Sequence, residues 1–360
     1  MRHSTMRHSF IPPYILDRII DKGTERQRER ALGTLTHVHN LLPNPGPPSR
    51  QPVSSVLPER GRRGEPRRSI HDAKQQMLLP GVLARIEGQP PIGDAAVDEA
   101  YDAIGKTHEC FWQVFGRDSI DNHGFPLIGT VHYGVGYENA FWNGAQMVFG
   151  DGDGELFNRF TLSLDVVAHE LTHGIIESEG GLLYFNQSGA LNESISDVFG
   201  VLVRQFSLKQ TAEQADWLIG AELLTDKVNG SALRSMANPG SAYDDPLLGK
   251  DPQPGHMRDF IDTRDDNGGV HLNSGIPNRA FYLTALALGG YAWDKAGRIW
   301  YDTLCDKRLA NDADFVSFAG LTIDNAMTLF GASGNEVQSV RQAWTDVGVV
   351  VPSGPNEEMR

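Results

Sequence analysis

Apolar residues recur at helical spacing over residues 94–115, from 162 into the segment around 170, and again over 278–288, 292–305, 315–330 and 333–346. That period belongs to helices with a buried face, so the second half of the chain is predicted to be mainly helical. Between residues 70 and about 153, the short apolar runs 131–133 and 146–149 predict strands beside the 94–115 helix. The pattern is α+β: a mixed α/β N-terminal lobe over 70–160, a mainly helical C-terminal lobe over 161–350, and a tail over 351–360. The cleft between two such lobes is where ligand sites commonly form. Ahead of them, residues 10–20 form a short ordered piece and 24–32 a charged helix. Residues 43–68 then collect seven prolines and six arginines, which predicts an exposed linker open to proteolysis.

Charge sharpens this division. The 360 residues carry a net charge of −14, yet residues 1–70 hold thirteen Lys and Arg against six Asp and Glu, leaving −21 on the rest. A basic leader on an acidic body suggests that one docks on the other. The rival reading, a basic arm for nucleic acid, lacks aromatic interleaving and a binding fold. No run of about eighteen apolar residues is present to span a membrane. Residues 1–10 are basic but carry no apolar stretch of a secretory signal, so synthesis in the cytoplasm is expected, with unconventional export left open. Cys110 and Cys305 lie far apart, both in predicted helices, and are expected to be unpaired thiols.

The chemistry concentrates in His169-Glu170-Leu171-Thr172-His173. Imidazoles four apart on a helix share one face, the spacing needed to grip one zinc ion while Glu170 points beside it. After nineteen intervening residues, Glu193 is expected in the first turn of a second helix and offers a third ligand. Two histidines and one carboxylate leave a fourth position open, as in catalytic rather than structural zinc sites. Asp197, four residues after Glu193, and Asn192 are placed to accept the second ring N–H of each histidine. Farther on, Asp266-Asn267-Gly268-Gly269-Val270-His271 is a glycine-rich turn entering a helix. An Asp shortly before a His suits an oriented imidazolium facing an oxyanion, though a capping or surface histidine fits this spacing too.

Four strings now carry a resemblance: Asn139-Ala-Phe-Trp-Asn-Gly144, Asp165-Val-Val-Ala-His-Glu-Leu-Thr-His173, Gly189-Ala-Leu-Asn-Glu-Ser-Ile-Ser-Asp197, and Asp266-Asn-Gly-Gly-Val-His-Leu-Asn-Ser-Gly275. In order and spacing they resemble successive signatures of the thermolysin family of zinc endopeptidases, over roughly residues 70–348. Residues 11–16 and 243–254 resemble its protealysin-like members. The resemblance implies one catalytic zinc on His169, His173 and Glu193, with Glu170 as the base activating a metal-bound water. It implies that His271 and Tyr184 donate to the oxyanion, with Asp266 orienting His271. Asn139 and the Ala140 carbonyl would hold the substrate backbone and Arg234 its carbonyl, while Val166 and Leu233 would line a hydrophobic pocket for the residue after the cut bond. Residues 1–50 would be a propeptide inhibiting its own chain, with Pro12-Pro13-Tyr14 as its motif, and 51–69 a cleavable linker. Processing is expected between Leu42 and Ile70, with Val53, Val56 or Leu57 following the cut. Having no cysteine, that leader cannot block zinc with a thiolate.

The chain departs from the family where calcium is concerned. Asp165 and Asp216 resemble survivors of an acidic cluster, but Arg204, Leu218 and Ala221 stand where carboxylates are expected. Calcium needs six to eight oxygen ligands, so the two-ion site is expected to be lost, with Arg204 paired to Asp165 or Asp216. Gly150-Asp-Gly-Asp-Gly154 invites a calcium reading too, but lacks the downstream glutamate and is better explained as a tight turn. The readings to separate are therefore an endopeptidase made as an autoinhibited precursor, acting on protein or peptide substrates, a catalytically silent zinc-binding protein, and a zinc exopeptidase or esterase.

Overall fold

The computed structural model describes residues 8–41 and 62–352. The leader folds as two helices, α1 (Pro13–Lys22) and α2 (Glu25–Leu41), which pack on one another. Pro13 starts α1 where no amide donor is needed, and Ile15, Leu16 and Ile19 form its buried face. Each stabilises the docked leader by about 1.5–3 kcal/mol relative to exposure. The charged helix is longer than the expected 24–32 because Thr34 and His37 also find partners on the body. Glu138 N–H donates to Thr34 Oγ1 (3.4 Å), and His37 Nδ1 lies 2.9 Å from the Tyr137 hydroxyl. Apolar burial and such hydrogen bonds seat the leader. Of its arginines, Arg30 reaches the Asp153 carbonyl (3.4 Å).

The N-terminal lobe is a five-stranded sheet in the order β2-β1-β3-β5-β4. Its strands are β1 (Arg68–Asp72), β2 (Val82–Ile86), β3 (Leu127–Val131), β4 (Ala140–Trp142) and β5 (Met147–Phe149). The inner pairs β1–β3 and β3–β5 are parallel and the outer pairs antiparallel. Helix α3 (Ala95–Phe115) covers the sheet, its start capped by the Asp94 side chain and its end closed by left-handed Gly116. The strand expected at 131–133 in fact ends at Val131. His132 turns to φ 54° and leaves the ladder, its Nδ1 2.9 Å from Asp151 and its Nε2 3.1 Å from Asp94.

The C-terminal lobe holds α4 (Leu164–Ser178), α5 (Asn186–Leu208), α6 (Asp266–Asn273), α7 (Gly275–Leu288), α8 (Ala296–Leu304), α9 (Phe315–Phe330) and α10 (Asn335–Asp346). Helix α5 starts seven residues before Glu193, which is therefore mid-helix rather than in a first turn. Trp300 and Trp344 stack between the last helices, with Phe281 and Phe318 on their edges. Helices α4 and α5 run against each other, and α4 also meets β4, so the zinc-motif helix lies at the junction of sheet and bundle. Among the described residues, no helix is long and apolar enough to cross a membrane. Cys110 and Cys305 are both free thiols.

The Asp94–His132–Asp151 cluster ties the end of β3 to the α3 cap. The bond to Asp151, helped by Asp94 and opposed by partial burial, raises His132 from 6.5 to about 9. Asp72, itself paired with Lys74, also faces it. A histidine raised in the folded state contributes stability below its unfolded pKa and loses it as pH rises through the folded one. The His132→Gln variant should melt below the parent at pH 6, and the gap should close by about pH 10. A gap that is constant across this range in thermal melts would contradict the assignment.

Candidate metal and substrate site

Helix α4 presents His169, Glu170 and His173, all fully buried, to one point facing α5. The two Nε2 atoms are 2.9 Å apart. Glu193 on α5 brings Oε2 to 3.5 Å from His169 Nε2 and Oε1 to 3.5 Å from His173 Nε2. Three donor atoms so spaced surround a position at ordinary zinc–ligand distance from each. The outer nitrogens are fixed. His169 Nδ1 donates to Asp197 Oδ1 (2.9 Å) and His173 Nδ1 to Asn192 Oδ1 (2.8 Å), with Ser196 Oγ 3.0 Å from the latter ring. Those bonds leave both Nε2 atoms as the free donors, the arrangement a zinc ion requires. Against the cost of burial, His271, His173 and His169 hold the Glu193 carboxyl well below its usual range. The donor set fits zinc.

Glu170 stands beside this point. Neither of its oxygens makes a well-formed hydrogen bond, although the Trp142 amide faces it, and burial pushes its carboxyl up to about 7. On the far side, Asp266 grips His271 twice: Oδ2 accepts the His271 N–H (2.8 Å) and Oδ1 takes Nδ1 (2.6 Å). This clamp needs a tight left-handed turn at Gly268 and Gly269 (φ 84° and 76°), which explains the glycine pair. Against the cost of burial, Asp266 and Glu193 raise His271 to about 9, so it carries a proton at neutral pH. Its Nε2 then points at the Tyr184 hydroxyl (3.1 Å), which also donates to Glu193. Gly189 permits this contact between α5 and α6, since a Cβ there would come within 2.4 Å of Val270.

Arg234 is 1% exposed and forks onto Asp197, Nε to Oδ2 (2.9 Å) and Nη2 to Oδ1 (2.7 Å). Asn278 donates to Asp197 Oδ2 (2.9 Å). Neither Asn278 nor Ser196 was anticipated from the sequence: an isolated Asn or Ser in an apolar helix gives no spacing signal. Val166 and Leu233 are both buried; Leu233 Cβ and the Phe10 ring lie 3.4 and 3.5 Å from the Cβ position of Gly220.

The leader runs through the cleft, and it does so by residues 8–11 rather than by Pro12, Pro13 and Tyr14. Ser9 O accepts from His271 Nε2 (2.7 Å), Phe10 N–H donates to Ala140 O (3.0 Å), and Phe10 O accepts from Arg234 Nη1 (3.3 Å). Asn139 closes on the next residue, Oδ1 accepting from Ile11 N–H (2.8 Å) while Nδ2 approaches Ile11 O (3.4 Å). Pro12 and Pro13 turn the chain out of this stretch into α1, and Tyr14 packs beside Tyr243. Residues 42–61, with most of the expected processing window, lie outside the described residues.

Two histidines and a glutamate around one point, a bare carboxyl beside it and cationic donors across a cleft define a metallopeptidase site. Residues 86–177 match the thermolysin metallopeptidase catalytic domain and 180–349 its alpha-helical domain, so the chain belongs to the thermolysin family of metallopeptidases. Residues 8–50 match the protealysin propeptide, which makes it a protealysin-like member carrying its propeptide. It is 61% identical over 347 residues to an extracellular metalloprotease of Pectobacterium carotovorum subsp. carotovorum, covering 95% of this chain and 96% of that one. It is 52% identical to Protease PrtS of a Photorhabdus strain, over 95% and 92%. The structure resembles the precursor of protealysin from Serratia proteamaculans, with TM-score 0.88, 59% identity, and 95% and 100% coverage. Membership implies zinc.

Removing the Asn192 amide should free His173 to rotate and change tautomer. Asn192→Ala should lower zinc affinity about 10- to 100-fold, measured by chelator competition. Unchanged retention would mean that Ser196 alone suffices.

Proposed function

We propose that this chain is the precursor of an endopeptidase that cuts on the amino side of hydrophobic residues and is inhibited by its own leader. One observation carries this reading: residues 9–11 lie in the cleft with the Ser9 carbonyl and both backbone polar groups of Phe10 and Ile11 engaged as a substrate's would be. The Ser9 carbonyl faces the cationic His271 and the Phe10 ring occupies the apolar corner beside Leu233, so Ser9–Phe10 stands in the register of a bond to be cut.

Held by His169, His173 and Glu193, zinc supplies Lewis-acid polarisation of a carbonyl and lowers the pKa of water toward ~7. Glu170, bare and poised near neutrality, takes the proton of the attacking water and returns it to the departing amine. His271 and Tyr184 donate to the carbonyl oxygen as it gains charge, and Asp266 keeps His271 protonated and aimed. Asn139 and the Ala140 carbonyl align the substrate backbone, while Arg234, braced by Asp197, takes the carbonyl after the cut bond. A silent zinc protein would have no use for a buried carboxyl left without a good partner, which costs stability.

Glu170→Gln should keep zinc but lose at least ~10²-fold in kcat on an end-blocked peptide with an internal hydrophobic residue. Intact mass over time should show the leader lost between Leu42 and Ile70 in the active chain and retained in the variant. Equal peptide cleavage by both chains would reject Glu170 as the base, and cleavage only of free-ended peptides would favour an exopeptidase.

We also propose that a cation of the chain itself replaces the calcium pair. Arg204 bonds Asp216 (2.9 Å) and Glu222 (3.2 Å), the latter a carboxylate one residue beyond Ala221. Asp165, instead of meeting Arg204 directly, accepts from the Gly220 amide (2.9 Å) and shares Ser163 with Glu222. In the 150–154 turn, Asp153 Oδ1 accepts the amides of Glu155, Leu156 and Phe157, leaving that carboxylate oxygen engaged. Calorimetric titration should show no tight calcium binding; tight binding abolished by Asp165→Ala would overturn the proposal.

A further inference from the structure

We propose that His8 is a fourth protein ligand of the zinc in the precursor, filling the position that the attacking water needs. The inference rests on the reading of His169, His173 and Glu193 as the zinc site. It begins from a contradiction: the leader presents Ser9–Phe10 in the register of a scissile bond, with Phe10 held at Ala140 and Arg234. Backbone geometry alone would make this stretch a substrate. Something else must keep it whole.

The residue before Ser9 supplies that element. The His8 ring lies over the metal-ligand side chains, and the residue is only 5% exposed. Its ring stacks on His173 at 3.9 Å and 9°, and meets the Tyr184 ring edge-on at 4.4 Å. Its Nδ1 is buried with no hydrogen-bond partner among the described residues. A ligating nitrogen of His8 lies within 4.8 Å of ligand atoms of both His173 and Glu193, and these three form a group able to hold a metal ion. Donors around tetrahedral zinc stand roughly 3.3 Å apart, so ligation requires the His8 ring to tilt out of its parallel stack on His173 and turn a nitrogen toward the shared point. Three protein ligands leave one position to fill, and a buried imidazole nitrogen without a partner is a costly feature that coordination would resolve. The leader carries no cysteine, so it has no thiolate to offer in place of this imidazole. When the leader departs, His8 departs with it and the position opens.

The test uses the full-length chain in a Glu170→Gln background, which keeps the precursor intact, loaded with cobalt(II) as a visible reporter. His8→Phe keeps a ring stacked on His173 but has no ligand nitrogen; His8→Ala removes both. If His8 is a ligand, both substitutions shift the visible cobalt spectrum, and free imidazole restores it in His8→Ala. Metal should also pass to a chelator at least ~10-fold more readily, since even outer-sphere partners are worth that much affinity. If cobalt binds stoichiometrically and the His8→Phe spectrum and chelator transfer match the parent, His8 is an inert lid and the inference is wrong. If no variant or parent binds metal, the zinc reading falls and this inference falls with it.

Discussion

The fully buried carboxylate of Asp197 is the contact on which the site depends. Four donors meet on it: His169 Nδ1, two nitrogens of Arg234 and the Asn278 amide. A carboxylate in such surroundings is tolerable only when paired and fully hydrogen-bonded. Arg234 and His169 provide that pairing, and against the cost of burial they hold Asp197 below its usual carboxylate range. The same four bonds join α4, α5, α7 and the short strand Arg234–Ser235. Breaking one would strand the others in a dry interior, where loss of one partner of a buried pair typically costs about 3–5 kcal/mol. One side chain thereby fixes the tautomer of a metal-binding histidine and the aim of the arginine that holds a bound peptide.

That coupling explains why α4 and α5 are buried on nearly every face while carrying so many polar groups. Ile175, Ile176, Ile195, Val198 and Phe199 supply the apolar packing that keeps the helices in place. Within it the zinc-motif imidazoles are each satisfied on the outer nitrogen. Around the metal point itself, Glu170, Glu193 Oε2 and His8 Nδ1 lack well-formed hydrogen bonds, and all three face the region where metal, water and substrate would meet.

Much of this was legible in the chain. Helical periodicity locates ligands four residues apart, so the partnerships of His169 with His173 and of Glu193 with Asp197 follow from spacing once the helices exist. Helix limits were harder to read. Asn186-Gln187-Ser188-Gly189 is a weak helix former, and α5 begins there because Gln187 and Ser188 find partners: Ser188 caps Leu183 and Phe185 carbonyls, and Gln187 accepts from Phe315. Strand β3 was misjudged by the apolar look of Val131-His132-Tyr133, where two aspartates pull His132 out of the ladder. The leader's mode of entry was also invisible, because pairing of Ser9, Phe10 and Ile11 with His271, Ala140 and Asn139 uses main-chain groups of the leader that every residue possesses. Glu222 escaped notice for a different reason: it sits one position away from where an acidic residue was sought.

The substrate-like seating of residues 9–11 also suits an inhibitor that is joined to the chain it blocks. A peptide held by a few backbone bonds and one aromatic side chain is a modest ligand when free, because association costs translational freedom. Joined to the body, the same segment is presented at an effective concentration that short flexible linkers bring to about the millimolar range. The packing of Ile15, Leu16 and Ile19 and the hydrogen bonds of Thr34 and Gln27 add contacts that no substrate possesses. Cutting between the leader and the body removes the tether while leaving every contact in place. Release then becomes a matter of dilution, because rebinding is no longer intramolecular. A proline- and arginine-rich connection suits that purpose, since its composition offers few apolar side chains to a core.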